Sequence, residues 1–286
     1  MILQYRTGLP NLYTAFVQQS FAIVGIFNAT PDSYFDGGKF VGLEAARARV
    51  AAMQQDGADW IEIGGESTGP KSKDVSTEEE TNRVLPIIRM IKKEFPTAHV
   101  SIDTWKAEVA AAAILEGVSM VNDVTAGRGS NGAIFDVVKN ADASLVLMYS
   151  KDATPRTTID PKQYDDVVAT IKSFLEDRKK IAIASGIDSK KIILDPGLGH
   201  FVSGDAKYSF EILARLKEFA DLGCPIFISP SRKSFLAGSE NLATADRLPG
   251  TIAASALAVA NGAYYIRTHD VLEVRGACEI AASMRA

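Results

Sequence analysis

One pattern recurs eight times along the chain and restricts its fold more than any other feature. An apolar run ends at a polar residue, passes into a polar loop and is followed by a helical segment. The first run, Ala22–Phe27, is unbroken and ends at Asn28. Because helices cover both faces of a parallel sheet, its strands are apolar throughout rather than in alternation. The pattern therefore predicts buried parallel strands joined by crossover helices.

Eight such units predict a (β/α)8 TIM barrel, with an open doubly wound sheet as the alternative. We favour the barrel because eight is its number of units and because no GxGxxG motif follows the first strand. No linker divides the chain, so residues 21–286 are predicted to form one barrel domain, and residues 1–20 a lead-in segment that caps one end. The predicted strands are 22–27, 60–63, 99–102, 118–121, 144–148, 192–194, 225–228 and 263–266, and the predicted helices are 43–57, 76–95, 106–117, 131–141, 161–185, 208–222, 244–261 and 271–284.

Composition excludes several classes of protein. The 286 residues carry a formal net charge of −4 and no long run of Lys or Arg, so we expect no nucleic-acid partner. Cys224 and Cys278 lack metal-ligand spacing and are expected to be buried free thiols of a reducing compartment. No apolar stretch is long enough to span a membrane, and Met1–Ser20 does not resemble a signal peptide. We therefore expect a cytoplasmic protein without a membrane partner.

Polar residues stand at or near the end of each predicted strand, where a barrel gathers them around one rim. An Asn or Asp after a strand is more often a helix cap, but its recurrence in all eight units weakens that interpretation. Asp103, Asn122 and Asp195 could converge in the barrel mouth, where buried polar groups without partners are costly. They favour a ligand rich in N–H donors, such as the edge of a planar heterocycle. The strand-end residues are Asn28, Glu62, Asp103, Asn122, Tyr149, Asp195, Ser229 and Arg267.

The loops after the last two strands carry basic residues where barrels commonly hold phosphate. SPSRKSF contains Arg232 and Lys233, and RTHD contains Arg267 and His269. Together with Asn28, which is adjacent across a closed barrel, they form a strip suited to a pyrophosphate and a divalent metal. For Arg232 a surface ion pair is an equally good interpretation. No HExxH, GxSxG or P-loop motif is present, so zinc, serine-triad and nucleotide chemistry have no support.

Seven segments together resemble the motifs of the dihydropteroate synthase family, from about residue 22 to the C-terminus. They are NATPDSYFDGG, GADWIEIGGEST, SIDTWKAEV, NDV, LDPGLG, SRKSFLAG and RTHDV. The resemblance implies a barrel enzyme that condenses 6-hydroxymethyl-7,8-dihydropterin pyrophosphate with 4-aminobenzoate, giving 7,8-dihydropteroate and pyrophosphate. It also implies a Mg²⁺ cofactor and a homodimer.

The resemblance further implies roles for individual residues. The pterin would contact Asp103, Asn122, Asp195 and Lys233; the pyrophosphate would contact Asn28, Arg267 and His269, with Asn28 at the magnesium. Aminobenzoate would lie among Thr68, Pro70, Ser234 and the loop 30–35. Catalysis would involve Asp103, Lys233, Arg267 and His269.

The chain departs from the family pattern at Glu62, where Asp is usual, at Gly69, where Arg is usual, and at Tyr149, where His is usual. The stretch 200–208 is similar to the sulfonamide-insensitive branch, and inhibition by a sulfonamide would test that similarity. Two other functions stay open: a pterin-binding paralogue that is non-catalytic or of altered specificity, and a pterin-dependent methyltransferase domain. The anion strip argues against the methyltransferase.

Overall fold

The computed structural model of the protein describes residues 20–29, 39–70 and 72–284. The predicted lead-in, apart from Ser20, and the predicted loop 30–35 lie outside the described residues. Within these ranges eight strands alternate with eight α-helices. The strands are β1 Ala22–Asn28, β2 Trp60–Gly64, β3 His99–Asp103, β4 Met120–Asp123, β5 Ser144–Met148, β6 Ile192–Asp195, β7 Phe227–Ile228 and β8 Tyr265–Thr268. The helices are α1 Lys39–Gln55, α2 Thr77–Glu94, α3 Ala107–Leu115, α4 Ala133–Lys139, α5 Val167–Ala184, α6 Ala206–Ala214, α7 Leu248–Ala260 and α8 Val271–Ser283.

The strands form one parallel sheet in the order β6-β5-β4-β3-β2-β1-β8-β7. The first and last strands are neighbours, with Ala22 paired to Tyr265, which confirms the barrel and excludes the open doubly wound sheet. Closure is weakest between β6 and β7, where the isolated bridge between Leu194 and Ile226 stands in for a strand pair. The barrel is therefore nearly closed, with a seam beside Asp195.

Helix ends follow local capping. Ser76 caps α2 by accepting a hydrogen bond from the Glu79 N–H at 3.1 Å. Asp166 caps α5 in the same way through the Ala169 N–H at 2.9 Å, so the prediction that this helix begins at residue 161 was wrong. The predicted helix 208–222 is α6 followed by a 3₁₀ helix, and the predicted helix 244–261 is a 3₁₀ turn followed by α7.

The inside of the barrel is layered. An apolar layer fills it and includes Val24, Met120, Val146, Ile193, Phe227 and Tyr265, with Trp60 packed against it. Because side chains of a strand return to the same face every second residue, the next inward positions toward the strand ends are polar. Trp60 is followed in this way by Glu62, Met120 by Asn122, Ile193 by Asp195 and Tyr265 by Arg267. The inward polar residues therefore lie directly above the apolar layer, toward the carboxyl ends of the strands.

Both cysteines, Cys224 and Cys278, are buried and no disulfide joins them, as expected. In the described ranges we find no helix with the length and apolar character needed to cross a membrane.

Candidate active site

Six polar side chains gather above the apolar layer at the carboxyl ends of the strands. We call them the mouth cluster: Glu62, Asp103, Asn122, Asp195, Lys233 and Arg267. Five come from strands, and Lys233 comes from the loop after β7. The rim of a TIM barrel is where its active sites are built, and the predicted convergence of Asp103 and Asn122 is visible in the register, which pairs these two residues.

Arg267 lies between two carboxylates. Its Nη2 donates to Asp103 Oδ2 at 2.6 Å, and its Nε donates to Glu62 Oε1. The other oxygen of Glu62 accepts from Asn122 Nδ2 at 3.2 Å. Glu62, which the sequence placed at a strand end but to which no role was assigned, is completely buried and links Arg267 to Asn122. Arg267 is therefore not simply part of a basic strip, because its guanidinium is paired with the carboxylates of Glu62 and Asp103.

The opposite wall of the mouth contains Asp195 and Lys233. Asp195 Oδ1 accepts the Gly197 N–H at 2.7 Å. Gly197 has φ +71°, and a Cβ there would lie 2.6 Å from the Tyr149 carbonyl oxygen, so only glycine fits this turn. Lys233 Nζ donates to the Leu198 carbonyl at 3.3 Å and lies over the Phe201 ring. The backbone of 194–199 thus positions both groups.

Burial perturbs the ionisation of the mouth cluster. Burial raises the pKa of Asp103 to about 7, against the opposing charge of Arg267. It raises the pKa of Asp195 to about 6, against Lys233, and lowers the pKa of Lys233 to about 8. Asn122 Oδ1 is buried and has no hydrogen-bond partner among the described residues. Such an arrangement is costly without a ligand and favours one that brings N–H donors.

His269 lies beside the mouth, just beyond β8. Its Nδ1 is 3.0 Å from Ser231 Oγ, and its backbone N–H donates to the same oxygen at 3.1 Å. Arg49 of α1 donates to the His269 carbonyl at 2.8 Å. Burial lowers the pKa of His269 to about 4, so the ring is neutral near pH 7. Sequence analysis missed Ser231 and Arg49 as supports of this ring.

The remaining predicted residues occupy different places. Asn28 is the exposed last residue of β1 and is paired in register with Gly64. Thr68 lies on the loop after β2, where its carbonyl accepts the Thr157 N–H at 3.4 Å, and Ser234 opens a 3₁₀ helix after β7. Among the described residues no three His, Cys, Asp or Glu side chains are grouped to hold a metal ion.

Two residues at or near strand ends do not join the mouth cluster. Tyr149 packs edge-on against Phe174 of α5, with ring centroids 5.1 Å apart, and its hydroxyl lies 3.0 Å from that of Tyr164. Arg232, which could have been a ligand or an ion-pair residue, pairs with Asp270 at 2.7 Å. The polar residue after a strand therefore does not always point into the barrel.

The family model described as "Pterin binding enzyme" matches residues 24–269, so the chain belongs to the pterin-binding enzymes. Dihydropteroate synthase of Bacillus subtilis is 36% identical over 252 residues, 88% of this chain and 84% of the relative. The chain thus belongs to the dihydropteroate synthase family.

Two solved structures agree with this membership. Dihydropteroate synthase of Clostridium difficile, in the presence of pteroic acid, is 38% identical with a TM-score of 0.84, over 92% of this chain and 96% of that one. The Xanthomonas albilineans enzyme with 4-aminobenzoic acid is 36% identical with a TM-score of 0.82, over 93% of both chains.

Proposed function

We propose that the mouth cluster binds the pterin of a dihydropteroate synthase reaction. The chain, as a member of this family, is a transferase of folate biosynthesis. The observation that carries the assignment of the site is the excess of acceptors in the mouth: the carboxyl groups of Asp103 and Asp195 and the orphaned Asn122 Oδ1. A pterin presents ring N–H and exocyclic NH₂ groups side by side, which would satisfy these acceptors through paired, charge-assisted hydrogen bonds. Lys233 would donate to a pterin acceptor atom.

The second part of the proposal concerns the leaving group. In the reaction, the bond between the exocyclic methylene carbon and the pyrophosphate oxygen breaks, and the electron pair leaves with pyrophosphate. Arg267 and the neutral ring of His269 lie at the edge of the mouth, where they would donate to the departing oxygens. The carboxylates of Asp103 and Asp195 would stabilise the resulting cationic pterin.

The acceptor completes the reaction. The amine nitrogen of 4-aminobenzoate forms the new bond to the methylene carbon and gives up a proton. We assign the acceptor to the side of the mouth bounded by Thr68 and Pro70 after β2 and by Ser234 after β7. No protein nucleophile is required in this scheme, which agrees with the absence of a GxSxG serine motif in the sequence.

Magnesium belongs to the proposal as a cofactor. Mg²⁺ prefers oxygen ligands and is typically bound through one or two protein groups together with substrate phosphates. Asn28, an exposed residue at the carboxyl end of β1, carries an amide oxygen that fits this requirement. When bound, the ion would neutralise charge on the pyrophosphate. We also place the reaction in the cytoplasm, where free thiols stay reduced.

The homodimer is the remaining part of the proposal. α7 and α8 pack together and expose large apolar side chains, including Leu257 at 57%, Leu272 at 60% and Ile280 at 68%. Exposed apolar side chains on neighbouring helices are consistent with a subunit interface. Light scattering of the wild type should give the mass of two chains, and Leu257→Glu with Ile280→Glu should give one.

Release of pyrophosphate tests the function directly. The assay contains dihydropterin pyrophosphate, Mg²⁺ and 4-aminobenzoate, with Lys233→Ala as the test variant and Lys207→Ala, an exposed lysine of α6, as its control. We expect release that requires the arylamine, collapses in Lys233→Ala and persists in Lys207→Ala. Tight pterin binding without arylamine-dependent release would instead identify a non-catalytic paralogue.

A further inference from the structure

The loop after β2 is crossed by one arginine from another part of the barrel. We call residues 65–70 and 72–76 the β2 loop; it carries Thr68 and Pro70. Arg156, from the loop between β5 and α5, donates its Nε to the Ser72 carbonyl at 3.1 Å and its Nη2 to the Lys73 carbonyl at 2.6 Å. The same guanidinium forms ion pairs with Glu66 and Asp74. One side chain therefore contacts four residues of the β2 loop.

The next residue extends this contact to a third loop. The Thr157 N–H donates to the Thr68 carbonyl at 3.4 Å, and its hydroxyl donates to the His200 carbonyl at 2.7 Å. Thr157 is 3% exposed, and a carboxylate oxygen of Asp152, 3.0 Å from the same hydroxyl oxygen, is the alternative acceptor for its single proton. Arg156 and Thr157, which we call the clasp, thus join the loops that follow β2, β5 and β6.

The clasp also completes a buried charge cluster. Lys106 Nζ donates to Glu66 at 2.7 Å, to Glu80 at 2.5 Å and to the Val75 carbonyl at 2.7 Å. Without Arg156, two buried carboxylates would share a single ammonium group. Burial by itself would raise the pKa of Glu66, but the charges of Lys106 and Arg156 hold it below its ordinary value. We call Glu66, Glu80, Lys106 and Arg156 the loop cluster.

The contacts of Arg156 differ in energetic weight. Asp74 is 95% exposed, so its ion pair contributes little to stability. Glu66 is 4% exposed, and the two carbonyls accept from fixed positions of a planar fork. Arg156 therefore fixes the conformation of the β2 loop mainly through the buried Glu66 carboxylate and the two backbone carbonyls.

We propose that Arg156 and Thr157 are positioning residues for the arylamine substrate: by tying the β2 loop to its neighbours, they hold Thr68 and Pro70 in place before that substrate binds. The proposal rests on the function proposed above. The pterin pocket is built from five strand residues and Lys233, and none of these pairs with Arg156, whose guanidinium partners all lie on the β2 loop. Loss of the clasp should therefore weaken use of the arylamine while leaving pterin binding intact.

The test compares Arg156→Ala and Arg156→Lys with Arg275→Ala. Arg275 is a matched control because it is 24% exposed against 22% for Arg156, and also binds two carboxylates and a backbone carbonyl. For Arg156→Ala we expect the KM for 4-aminobenzoate to rise about tenfold, with kcat and the KM for the pterin substrate within about twofold of wild type. Arg156→Lys should recover part of the loss, and Arg275→Ala should show none.

Hydrogen exchange provides a readout that does not depend on activity. Amides of the β2 loop should exchange about tenfold faster in Arg156→Ala and at the wild-type rate in Arg275→Ala. An unchanged arylamine KM, or equal rises for both substrates, would overturn the positioning role even if exchange accelerates. A wild type without turnover would count against the proposed function, and the exchange rates would then decide by themselves whether the clasp holds the loop.

Discussion

The mouth cluster and the loop cluster both bury acidic and basic side chains near the same rim of the barrel, yet they are built differently. In the mouth, three carboxyl groups face two basic groups, whereas in the loop cluster two face two. Each contains a buried oxygen without a partner among the described residues, Asn122 Oδ1 and Glu80 Oε1. An orphaned atom therefore does not separate a binding site from a structural cluster. The balance of acidic and basic groups does separate them, because a cluster with equal numbers of each needs no ligand to neutralise it.

The largest effect should come from Arg267→Ala, which removes the cation from Glu62 and Asp103 together. Loss of one partner from a buried ion pair costs about 3–5 kcal/mol, so the free energy of unfolding should fall by about that amount. Denaturant unfolding measures it. Glu62→Gln in the same chain should restore part of the stability because it removes one unpaired carboxylate. A lack of such recovery would mean that Glu62 and Arg267 are not energetically coupled.

Lys106→Met should be nearly as destabilising but should leave pterin binding almost unchanged. It leaves Glu66 with Arg156 and removes the cation that pairs with Glu80, and we expect a loss of about 3 kcal/mol in unfolding free energy. Pterin affinity, measured by calorimetry at a temperature where the variant is folded, should stay within about threefold of wild type, because the mouth cluster is untouched. A larger loss of pterin affinity would show that the two clusters act as one.

Asp195→Asn should have the opposite pair of effects, weaker pterin binding and unchanged stability. It removes a charge-assisted acceptor from the mouth, worth about 1.5–3 kcal/mol, so pterin affinity should fall about 10- to 100-fold. Stability should not fall, because the raised pKa shows that ionised Asp195 is unfavourable in the folded protein. Calorimetry and denaturant unfolding on the same samples separate the two quantities.

The pH dependence of binding gives an internal check. If the ionised carboxyl of Asp195 binds the pterin, wild-type affinity should rise with pH through about 6, rise further through about 7 as Asp103 ionises, and fall above about 8 as Lys233 loses its proton. Lys233, Arg267 and Glu62 face this carboxyl, and the first two oppose its protonation. Asp195→Asn should remove the rise near pH 6. Affinity that increases toward low pH would instead assign the binding form to the protonated acid.

The smallest effect should come from Ser231→Ala, which removes two hydrogen bonds from His269 without removing a charge. Only the bond to the ring Nδ1 orients the imidazole toward the substrate, and at about 0.5–1.5 kcal/mol its loss should raise the KM for the pterin pyrophosphate about 2- to 13-fold. Ser255→Ala is the control, since Ser255 is also buried but its hydroxyl has no partner among the described residues. Equal behaviour of the two variants would remove Ser231 from the site.

The order of strands and the inward polar residues could be predicted from the sequence because both depend on local pattern. A polar residue two positions after an inward apolar one is visible in Met120 and Asn122 or in Ile193 and Asp195. The pairing of Glu62 with Arg267 could not be predicted, because 205 residues separate them and closure of the barrel brings them together. The contacts of Arg156 could not be predicted either, since its partners lie on a loop more than 80 residues away in the sequence. The roles assigned from motifs to all the site residues, those of the mouth cluster and His269 as well as Asn28, Thr68 and Ser234, remain predictions.

The place of β8 in the sheet has a consequence for synthesis on the ribosome. Strands β1 to β6 can pair in the order in which they emerge, but β7 joins them mainly through β8, which hydrogen-bonds to β1. Until β8 emerges, β1 is an open sheet edge, and Glu62 and Asp103 lack Arg267, the cation that pairs with both. A nascent chain stalled before Tyr265 should therefore stay sensitive to protease and depend on chaperones, whereas one released after α8 should become resistant. The strand that closes the sheet thus also supplies the guanidinium that completes the mouth cluster.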